Sequence, residues 1–302
     1  MTELGTFDYV IVGAGSAGAV LANRLSADPT ISTCLIEAGP ADRSPMINLP
    51  LGVMVLAKDP RHNWLYKSVP QAGLGGRQVS IPRGKVLGGS SAINGMIYIR
   101  GHRADYDAWE AAGCTGWGYD AVLPYFRKSE ANQNAALDPG LHGSGGPQTV
   151  SDLRDANPVD HDFIAAAARM QLRPCADFNA PEPEGVGIYQ VTQTKGKRHS
   201  TARAFLTPIK TRRNLTILTE AEVLHLTFSE GRATGVNFRR NGQSLHLTAR
   251  AEVILSAGTI GSPDILLRSG IGPAAQISVA GGRVVHDLPG VGQNLHGGGV
   301  SI

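Results

Sequence analysis

A glycine-rich run with a few polar side chains is the stretch of the sequence best suited to contact a ligand. It reads RGKVLGGSSAINGMIYIRG and places Gly88, Gly89 and Ser90 just before Asn94 and Gly95. Backbone without a Cβ atom can come close to a flat or anionic ligand. Paired glycines also form ordinary tight turns, so the run alone leaves a binding role and a structural role equally open.

A second glycine pattern lies at the N-terminus and indicates a dinucleotide site. Gly13, Gly15 and Gly18 have the spacing G-x-G-x-x-G, and Glu37 follows about 20 residues after the last of them. In this context the first glycine makes a tight turn, the second admits a pyrophosphate and the third lets a helix pack closely. A carboxylate at Glu37 can bind ribose hydroxyls and would repel the extra phosphate of NADP, which leaves FAD and NAD open.

The elements around this pattern predict a β-α-β unit that opens a parallel sheet. Residues 7–12 and 33–36 are short β-rich runs, and residues 19–25 between them have helical spacing. Residues 40–82 are irregular and rich in glycine and proline, which predicts a long loop region.

The rest of the chain predicts further helices and a small antiparallel meander. Asn241-Gly242 is a hairpin signal inside the β-rich segment 215–255, and residues 253–255 are predicted as a separate strand before the turn at Ala257-Gly258. Helices are predicted at residues 106–112, 119–129, 159–170 and 262–268, and a further one directly after the glycine run near residue 90. The fold class is therefore α/β.

Composition is that of a soluble globular protein. The chain has 302 residues, 42% of them hydrophobic and 18% charged, with a net charge of +3. This charge is too small to indicate nucleic acid or an anionic membrane as the main partner. The three cysteines form no C-x-x-C pair, so we assign no metal ligands and expect a reducing, cytoplasmic location.

Taken together, the motifs resemble the glucose-methanol-choline (GMC) family of FAD-dependent oxidoreductases, including its choline and alcohol dehydrogenases. The fingerprint at residues 13–18 with the Glu37-Ala38-Gly39 turn resembles the FAD motif of the family. RGKVLGGSSAINGM resembles its first signature, and the block from Gly258 to Gly272 resembles its second. The resemblance covers nearly the whole chain and implies a Rossmann-like FAD domain together with part of a substrate domain.

The resemblance implies a set of FAD-binding residues. Trp64 and Val86 would flank the cofactor, residues 94–97 would run beside the flavin, and Val223 would offer backbone contacts to the adenine end. The complete set is Gly13, Gly15, Ser16, Gly18, Glu37, Ala38, Trp64, Val86, Gly88, Gly89, Ser90, Asn94, Gly95, Met96, Ile97, Val223, Ala257 and Gly258. Some members attach FAD through a histidine in the first signature. Here the matching position is Ile93, so we expect FAD to be held noncovalently.

Family chemistry implies oxidation of a primary or secondary alcohol, with hydride passing to the flavin and a base removing the hydroxyl proton. Oxygen, a quinone or another acceptor would then take the electrons. None of the nine histidines matches the catalytic pair of the family, and His296 ends a segment that resembles a family segment but leads into Gly297-Gly298-Gly299. We therefore expect an apparently truncated or divergent form whose catalytic residues lie beyond residue 302.

Three alternatives stay open beside an alcohol oxidoreductase. The chain could be a noncatalytic FAD-binding remnant, or one half of a split enzyme that needs a complementing C-terminal chain. It could also be a nonredox lyase of the same family. A nicotinamide dehydrogenase leaves both long signatures without a role. The predicted domains are an FAD domain formed by residues 1–140 and 196–302, and the start of a substrate domain at residues 141–195.

Overall fold

The computed structural model describes residues 2–295 of the chain. These residues form two compact units, the first from residues 2–43, 54–93 and 201–295, and the second from residues 44–53 and 94–200. His296 and the glycines after it lie outside the described residues. The predicted division into an FAD domain and a substrate domain stays a prediction.

A six-stranded mixed sheet organises the first unit. Its strands are β1 Thr2–Val12, β2 Thr33–Ile36, β9 Leu215–Leu218, β10 Ala221–Ser229, β11 Arg232–Arg240 and β12 Gln243–Leu255. Their order across the sheet is β10-β11-β12-β1-β2-β9. Strands β12, β1, β2 and β9 are parallel, whereas β10, β11 and β12 form an antiparallel meander on the same sheet. The predicted combination of a parallel sheet with a meander is therefore confirmed.

Strand β12 joins the two halves of this sheet. It runs unbroken for 13 residues and pairs antiparallel with β11 on one side and parallel with β1 on the other. The prediction of two separate strands here was wrong. The intervening residues 248–251 carry polar and small side chains that interrupt the apolar pattern. Thr248 still pairs with both β11 and β1, Ala249 pairs with β1, and the pairing with β1 resumes at Glu252 after an irregularity in the register.

Apolar side chains cover both faces of the parallel part of the sheet. All four residues of β2 are buried, as is typical of a parallel strand that is covered on both faces. Along β1, Val10 and Val12 contribute to one core cluster together with Phe238, whereas Ile11 contributes to the opposite cluster with Phe205. Because successive side chains of a strand point to opposite faces, this alternation places β1 between two hydrophobic layers.

A buried charged network organises the second unit. Glu130 accepts a hydrogen bond from Arg100 at 2.6 Å and lies 2.9 Å from Nδ1 of His142, while Nε2 of His142 lies 3.0 Å from Asp177. Burial opposes protonation of His142, but its bonds to Asp177 and Glu130 outweigh burial and raise its pKa to about 9. At neutral pH the imidazole is therefore cationic and pairs with both carboxylates.

The helices follow the predictions closely, with three exceptions, of which one is the helix Ala274–Val279 that was not predicted. No α-helix follows the glycine run, because a short 3₁₀ turn at Gly89–Ala92 leads at once into the exposed turn that contains Asn94 and Gly95. Residues 40–82 are mostly loop, as predicted, but they include short helices and a two-stranded pairing. The α-helices are α1 Ser16–Leu25, α2 Pro45–Asn48, α3 Val53–Leu56, α4 Arg103–Ala111, α5 Tyr119–Ser129, α6 Pro158–Arg169, α7 Gly258–Arg268 and α8 Ala274–Val279.

The remaining strands are short and pair two by two. They are β3 Tyr66–Lys67 with β4 Ser80–Ile81, β5 Glu130–Asn132 with β6 Gln148–Val150, β7 Gln193–Thr194 with β8 Lys197–Arg198, and β13 Ile271–Gly272 with β14 His286–Asp287. Within residues 2–295, none of the helices has the length and apolar character needed to cross a membrane.

Candidate functional site

The turn between β1 and α1 requires glycine at its first position. Gly13 has a φ of +95°, and a Cβ there would lie 2.6 Å from the carbonyl oxygen of Ser256. Gly18 faces the same turn from the first turn of the helix, and a Cβ on it would overlap the carbonyl oxygen of Gly13. Both glycines therefore let the helix start directly over the strand end, where its free N–H groups can meet an anion.

Gly15 differs from these two glycines because the protein itself does not exclude a side chain there. A Cβ on Gly15 would lie 3.9 Å from the Cα of Gly89, which is ordinary van der Waals contact, and the φ of −73° at Gly15 suits any residue. The open side of Gly15 is the surface that an approaching pyrophosphate needs. This bare backbone at the start of α1 fits the phosphates of a dinucleotide.

Glu37 lies at the end of β2, as predicted, and its carboxylate is buried. One oxygen accepts the N–H of Ala14 at 2.9 Å, and the other accepts the N–H of Gly39 at 2.9 Å. Burial raises the pKa of Glu37 to about 7, although these two donors and the nearby Lys85 favour the charged form. Each carboxylate oxygen keeps further lone pairs, so the group can still accept from a ribose hydroxyl.

The second glycine run lies against the first. The N–H of Gly88 donates to the carbonyl oxygen of Ala14 at 2.8 Å. Gly89 has a φ of +53°, and a Cβ on it would lie 2.7 Å from the Cα of Gly15. A Cβ on Gly84 would overlap the backbone of Gly89 in turn. Two segments about 70 residues apart in the sequence therefore meet backbone to backbone at the start of α1.

A third segment, at the end of β12, closes the turn from the other side. Ser256 donates its side-chain hydroxyl to the carbonyl oxygen of Gly13 at 2.8 Å and its N–H to that of Val12 at 2.8 Å. Ala257, a predicted site residue, is half-buried and donates its N–H to the hydroxyl of Ser262 at 3.0 Å. Gly258 is exposed with a φ of +83°.

The motifs did not single out two residues that hold these segments together. One is Ser256, which the sequence marks only as a hydroxyl residue between the end of a strand and the Ala-Gly turn. The other is Thr201, whose N–H donates to the hydroxyl of Ser91 at 3.0 Å. This bond ties the glycine run to the one-turn π-helix Ala202–Leu206, a type of irregularity that is frequent at functional sites.

The remaining predicted residues of the first unit have varied surroundings. Trp64 is half-buried, lies parallel to Tyr66 at 5.8 Å, and has Nζ of Lys85 at 4.6 Å from its ring. Val86 is fully buried, so its side chain is a core residue. The carbonyl oxygen of Val223 accepts a bond from Arg268 at 3.3 Å. Of the other predicted positions, Ser16 and Ser90 are exposed and Ala38 is half-buried.

Residues 94–97 belong to the second unit. Asn94 and Gly95 are exposed, and a Cβ on Gly95 would meet nothing within 4 Å. Met96 is buried with a φ of +64°, and Ile97 is 40% exposed. This turn therefore presents open backbone on one side while the side chain of Met96 anchors it on the other.

Most histidines of the chain are engaged in local hydrogen bonds. His142 lies between two carboxylates, and His225 and His246 lie on either side of Asn237 on the meander, each at 2.8 Å. The Nδ1 of His199 accepts the N–H of Thr149 at 3.1 Å. Further partners are the carboxylate of Asp59 for His62 and the backbone of α4 for His102. These contacts fit the structural roles expected for the histidines.

Comparison with known proteins agrees with this geometry. The model of the GMC oxidoreductase family matches residues 7–298. An alcohol dehydrogenase [acceptor] of Pseudomonas putida is 47% identical over 291 residues, which are 96% of this chain and 52% of that protein. An oxygen-dependent choline dehydrogenase of Sinorhizobium medicae is 42% identical over 95% of this chain and 52% of its own length.

A solved structure gives the same result at the level of the fold. An FAD-dependent oxidoreductase from Chaetomium thermophilum has a TM-score of 0.88 and 34% identity, over 95% of this chain and 52% of its own. The chain therefore belongs to the GMC oxidoreductase family. It spans about half the length of the curated relatives it matches.

Proposed function

We propose that this chain binds FAD and contributes its dinucleotide site to an alcohol-oxidising GMC oxidoreductase. The observation that carries the proposal is the backbone contact between Gly15 and Gly89 directly at the start of α1, beside the buried carboxylate of Glu37. Three backbone segments that approach so closely leave a bare surface, whereas a purely structural turn has no need of an open Gly15. The similarity to a structure described as FAD-dependent supports the same cofactor.

The proposed roles follow from what each residue offers. The N–H groups at the start of α1, around Gly15 and Ser16, would hold the pyrophosphate. Glu37 would accept from the adenosine ribose, with Ala38 beside it and Val223 offering backbone at the adenine end. Trp64, Val86 and residues 88–90 would line the cofactor. Residues 94–97, and the turn at Ala257 and Gly258, complete the proposed set.

We infer that FAD is held noncovalently. Ile93 stands where some family members have a histidine that bonds to the cofactor, and its buried aliphatic side chain has no nucleophile. If FAD is noncovalent, acid precipitation of the holoprotein releases yellow colour into the supernatant. Colour that stays with the precipitate would show a covalent bond and contradict this inference.

The proposed reaction is oxidation of a primary or secondary alcohol. When bound, FAD supplies the acceptor for the hydride of the alcohol carbon. Removal of the hydroxyl proton needs a positioned base, because an alcohol with a pKa near that of water, about 15.7, is not ionised at pH 7. Six of the eight histidines among residues 2–295 are held by structural contacts, and no histidine of the sequence matches the catalytic pair of the family, so we propose that this base lies outside the described residues.

A substitution at Gly15 tests the proposed cofactor site without disturbing the fold. In Gly15→Ala the methyl group lies 3.9 Å from the Cα of Gly89, so the melting temperature should stay within about 2 °C of wild type. The same methyl group occupies the surface proposed for the pyrophosphate. FAD affinity, measured by flavin fluorescence titration of the 302-residue chain, should fall by about tenfold or more, which is about 1.4 kcal/mol.

Gly73→Ala is the matched control, because a Cβ on Gly73 meets nothing within 4 Å and lies outside the proposed site. Its FAD affinity should equal that of wild type. Equal affinity for Gly15→Ala and Gly73→Ala would contradict the placement of the pyrophosphate. If the wild-type chain binds no FAD at all, the titration should be repeated with a separately produced C-terminal half of a relative. No binding in that mixture would overturn the proposal.

Anaerobic addition of simple alcohols to the holoprotein tests the reaction class. Bleaching of the flavin band would show alcohol oxidation by a base within this chain. Bleaching only in the presence of the complementing half would support a split arrangement, and cleavage of a cyanohydrin without bleaching would favour the lyase chemistry.

A further inference from the structure

The turn formed by residues 94–97 is strained and must be held by its surroundings. Met96 has a φ of +64°, although it is neither glycine nor asparagine, and its side chain is 4% exposed. A left-handed conformation is unfavourable at such a residue, because its Cβ comes too close to the following carbonyl oxygen. Strain of this kind persists only where neighbouring groups fix it, so the contacts of Met96 and Asn94 show what fixes this turn.

A short hairpin in the same unit supplies part of the support. It consists of β7 and β8, joined by a turn at Lys195 and Gly196 whose φ values are +51° and +73°. Just before β7, the N–H of Thr192 donates to the carbonyl oxygen of Met96 at 2.8 Å. Within β7, the side-chain amide of Gln193 lies 3.7 Å from the sulfur of Met96. The hairpin and the residue before it therefore contact Met96 at both its backbone and its side chain.

Arg198, in β8, reaches the other end of the turn. It pairs with Gln193 across the hairpin and is fully buried. Its Nη1 donates to Oδ1 of Asn94 at 2.8 Å, and its Nε donates to the carbonyl oxygen of Ile47 at 2.9 Å. Burial lowers the pKa of Arg198 to about 10, so the guanidinium stays cationic at neutral pH. A buried cation is costly unless its donors are placed on fixed acceptors.

The same oxygen of Asn94 also accepts the N–H of Met96 at 3.1 Å. Because a guanidinium can only donate, the atom of Asn94 that faces it must be the oxygen, and the amide orientation is thereby fixed. One side-chain oxygen thus joins Arg198 to the backbone of the strained residue. The amide nitrogen of Asn94 and the exposed backbone of Gly95 are left for other partners.

We propose that Arg198 is a positioning residue, which through Asn94 holds residues 94–97 in the conformation that the flavin requires. This inference rests on the proposed function, since it assigns the turn to the flavin. Arg198 itself is not placed in contact with the cofactor. Its role is to direct the oxygen of Asn94 inward onto the N–H of Met96, so that the open side of the turn keeps one geometry.

The test is a double-mutant cycle read by amide hydrogen exchange in the 302-residue chain without FAD. The variants are Arg198→Met, Asn94→Ala and the double substitution. Each single variant should speed exchange at the amides of Met96 and Thr192 by about tenfold, because both amides belong to the bonds that Arg198 and Asn94 stabilise. The double variant should add little to either single one, because the two residues act through one contact.

Conservative variants separate positioning from general stability. In Asn94→Asp a carboxylate oxygen replaces the amide oxygen, so protection should stay at the wild-type level, and Arg198→Lys should retain part of it. Lys197→Met, at an exposed neighbour in the same strand, is the matched control and should change nothing. Asn94 is exposed, so its variants fold even if Arg198→Met does not. Full protection in Asn94→Ala would overturn the inference.

Two further outcomes would also overturn it. One is a double-mutant cycle in which the effects of Arg198→Met and Asn94→Ala on exchange simply add. The other is faster amide exchange in Arg198→Met that is equally large in α5 and α6, because an arginine with only a structural role would stabilise the whole unit.

With FAD bound, Arg198→Met and Asn94→Ala should shift the visible flavin band in the same direction, whereas Lys197→Met should leave it unchanged. An unshifted band would show that the turn does not contact the flavin, and it would overturn the assignment of residues 94–97 to the flavin site. If FAD binds neither to the wild-type chain nor to its mixture with a complementing C-terminal half, the proposed function has failed, and the exchange cycle still decides whether Arg198 positions the turn.

Discussion

Replacement of Glu37 by glutamine should change how stability depends on pH, and it does so at the proposed ribose site. In the wild type the buried carboxyl lies under two backbone N–H donors, and burial raises its pKa from 4.5 to about 7. Glutamine has nearly the same shape but does not titrate. The comparison of the two proteins therefore isolates the titration of this one group.

The sign follows from proton linkage. A carboxyl whose pKa is higher in the folded state binds its proton more tightly there than in the unfolded chain. Below pH 4.5 both states are protonated and the group imposes no penalty. As the pH rises from 4.5 through about 7, the unfolded chain ionises first, and the folded state loses stability. One pKa unit is worth about 1.4 kcal/mol, so the total loss is about 3 kcal/mol.

The assay is urea unfolding of the apoprotein at pH 5, 6, 7 and 8. The stability of the wild type minus that of Glu37→Gln should fall by about 2–3 kcal/mol between pH 5 and pH 8. Loss of one backbone bond in the variant adds an offset of about 1–3 kcal/mol that does not depend on pH. Glu252→Gln, at an exposed position of β12, is the control for the exchange of a carboxylate for an amide. A flat or rising difference for Glu37→Gln would refute a raised pKa.

Three other outcomes are expected. Gly18→Ala should lower the melting temperature strongly and abolish FAD binding, because its Cβ would overlap the carbonyl oxygen of Gly13, and a normal melting temperature would contradict that geometry. His142 has a pKa of about 9, so its contribution to the free energy of unfolding should be complete below pH 6.5. About 3 kcal/mol of that free energy should be lost as the pH rises through 9, and urea unfolding of His142→Gln should not show this loss. Phe238→Ala should cost about 3–5 kcal/mol in urea unfolding, since this ring is fully buried, and a loss below 1 kcal/mol would show that it does not support the core.

The sequence alone predicted the parts of the fold that depend on local pattern. The β-α-β unit, the hairpin at Asn241-Gly242 and most helices were recognisable because period, turn residues and caps all lie within a few positions of each other. The break in β12 was predicted wrongly because residues 248–251 lack an apolar pattern. Pairing of Thr248 with β11 and β1, and of Ala249 and Glu252 with β1, carries the strand across that segment, and neither partner strand is visible in a local window.

The candidate site was predictable in its glycines but not in its supports. Gly13, Gly18 and Gly89 have spacings and neighbours that a known motif describes. Ser256 and Arg198 have no such motif, because their roles depend on segments that approach only in the folded chain. The left-handed conformation of Met96 was equally invisible, since nothing in the local sequence marks it as a turn that must be held from outside.

The order of strands in the sheet has a consequence for biosynthesis. Val12, at the end of the first strand, lies beside Ser256, and the two are 244 positions apart in the chain. At a translation rate of about 5–20 residues per second, the N-terminal strand waits about 12–50 s for its neighbour to leave the ribosome. During that interval the apolar residues 9–12 lack the strand that pairs with one of their edges. Because unpaired apolar strand edges are prone to aggregate, we expect chaperones to bind the nascent chain.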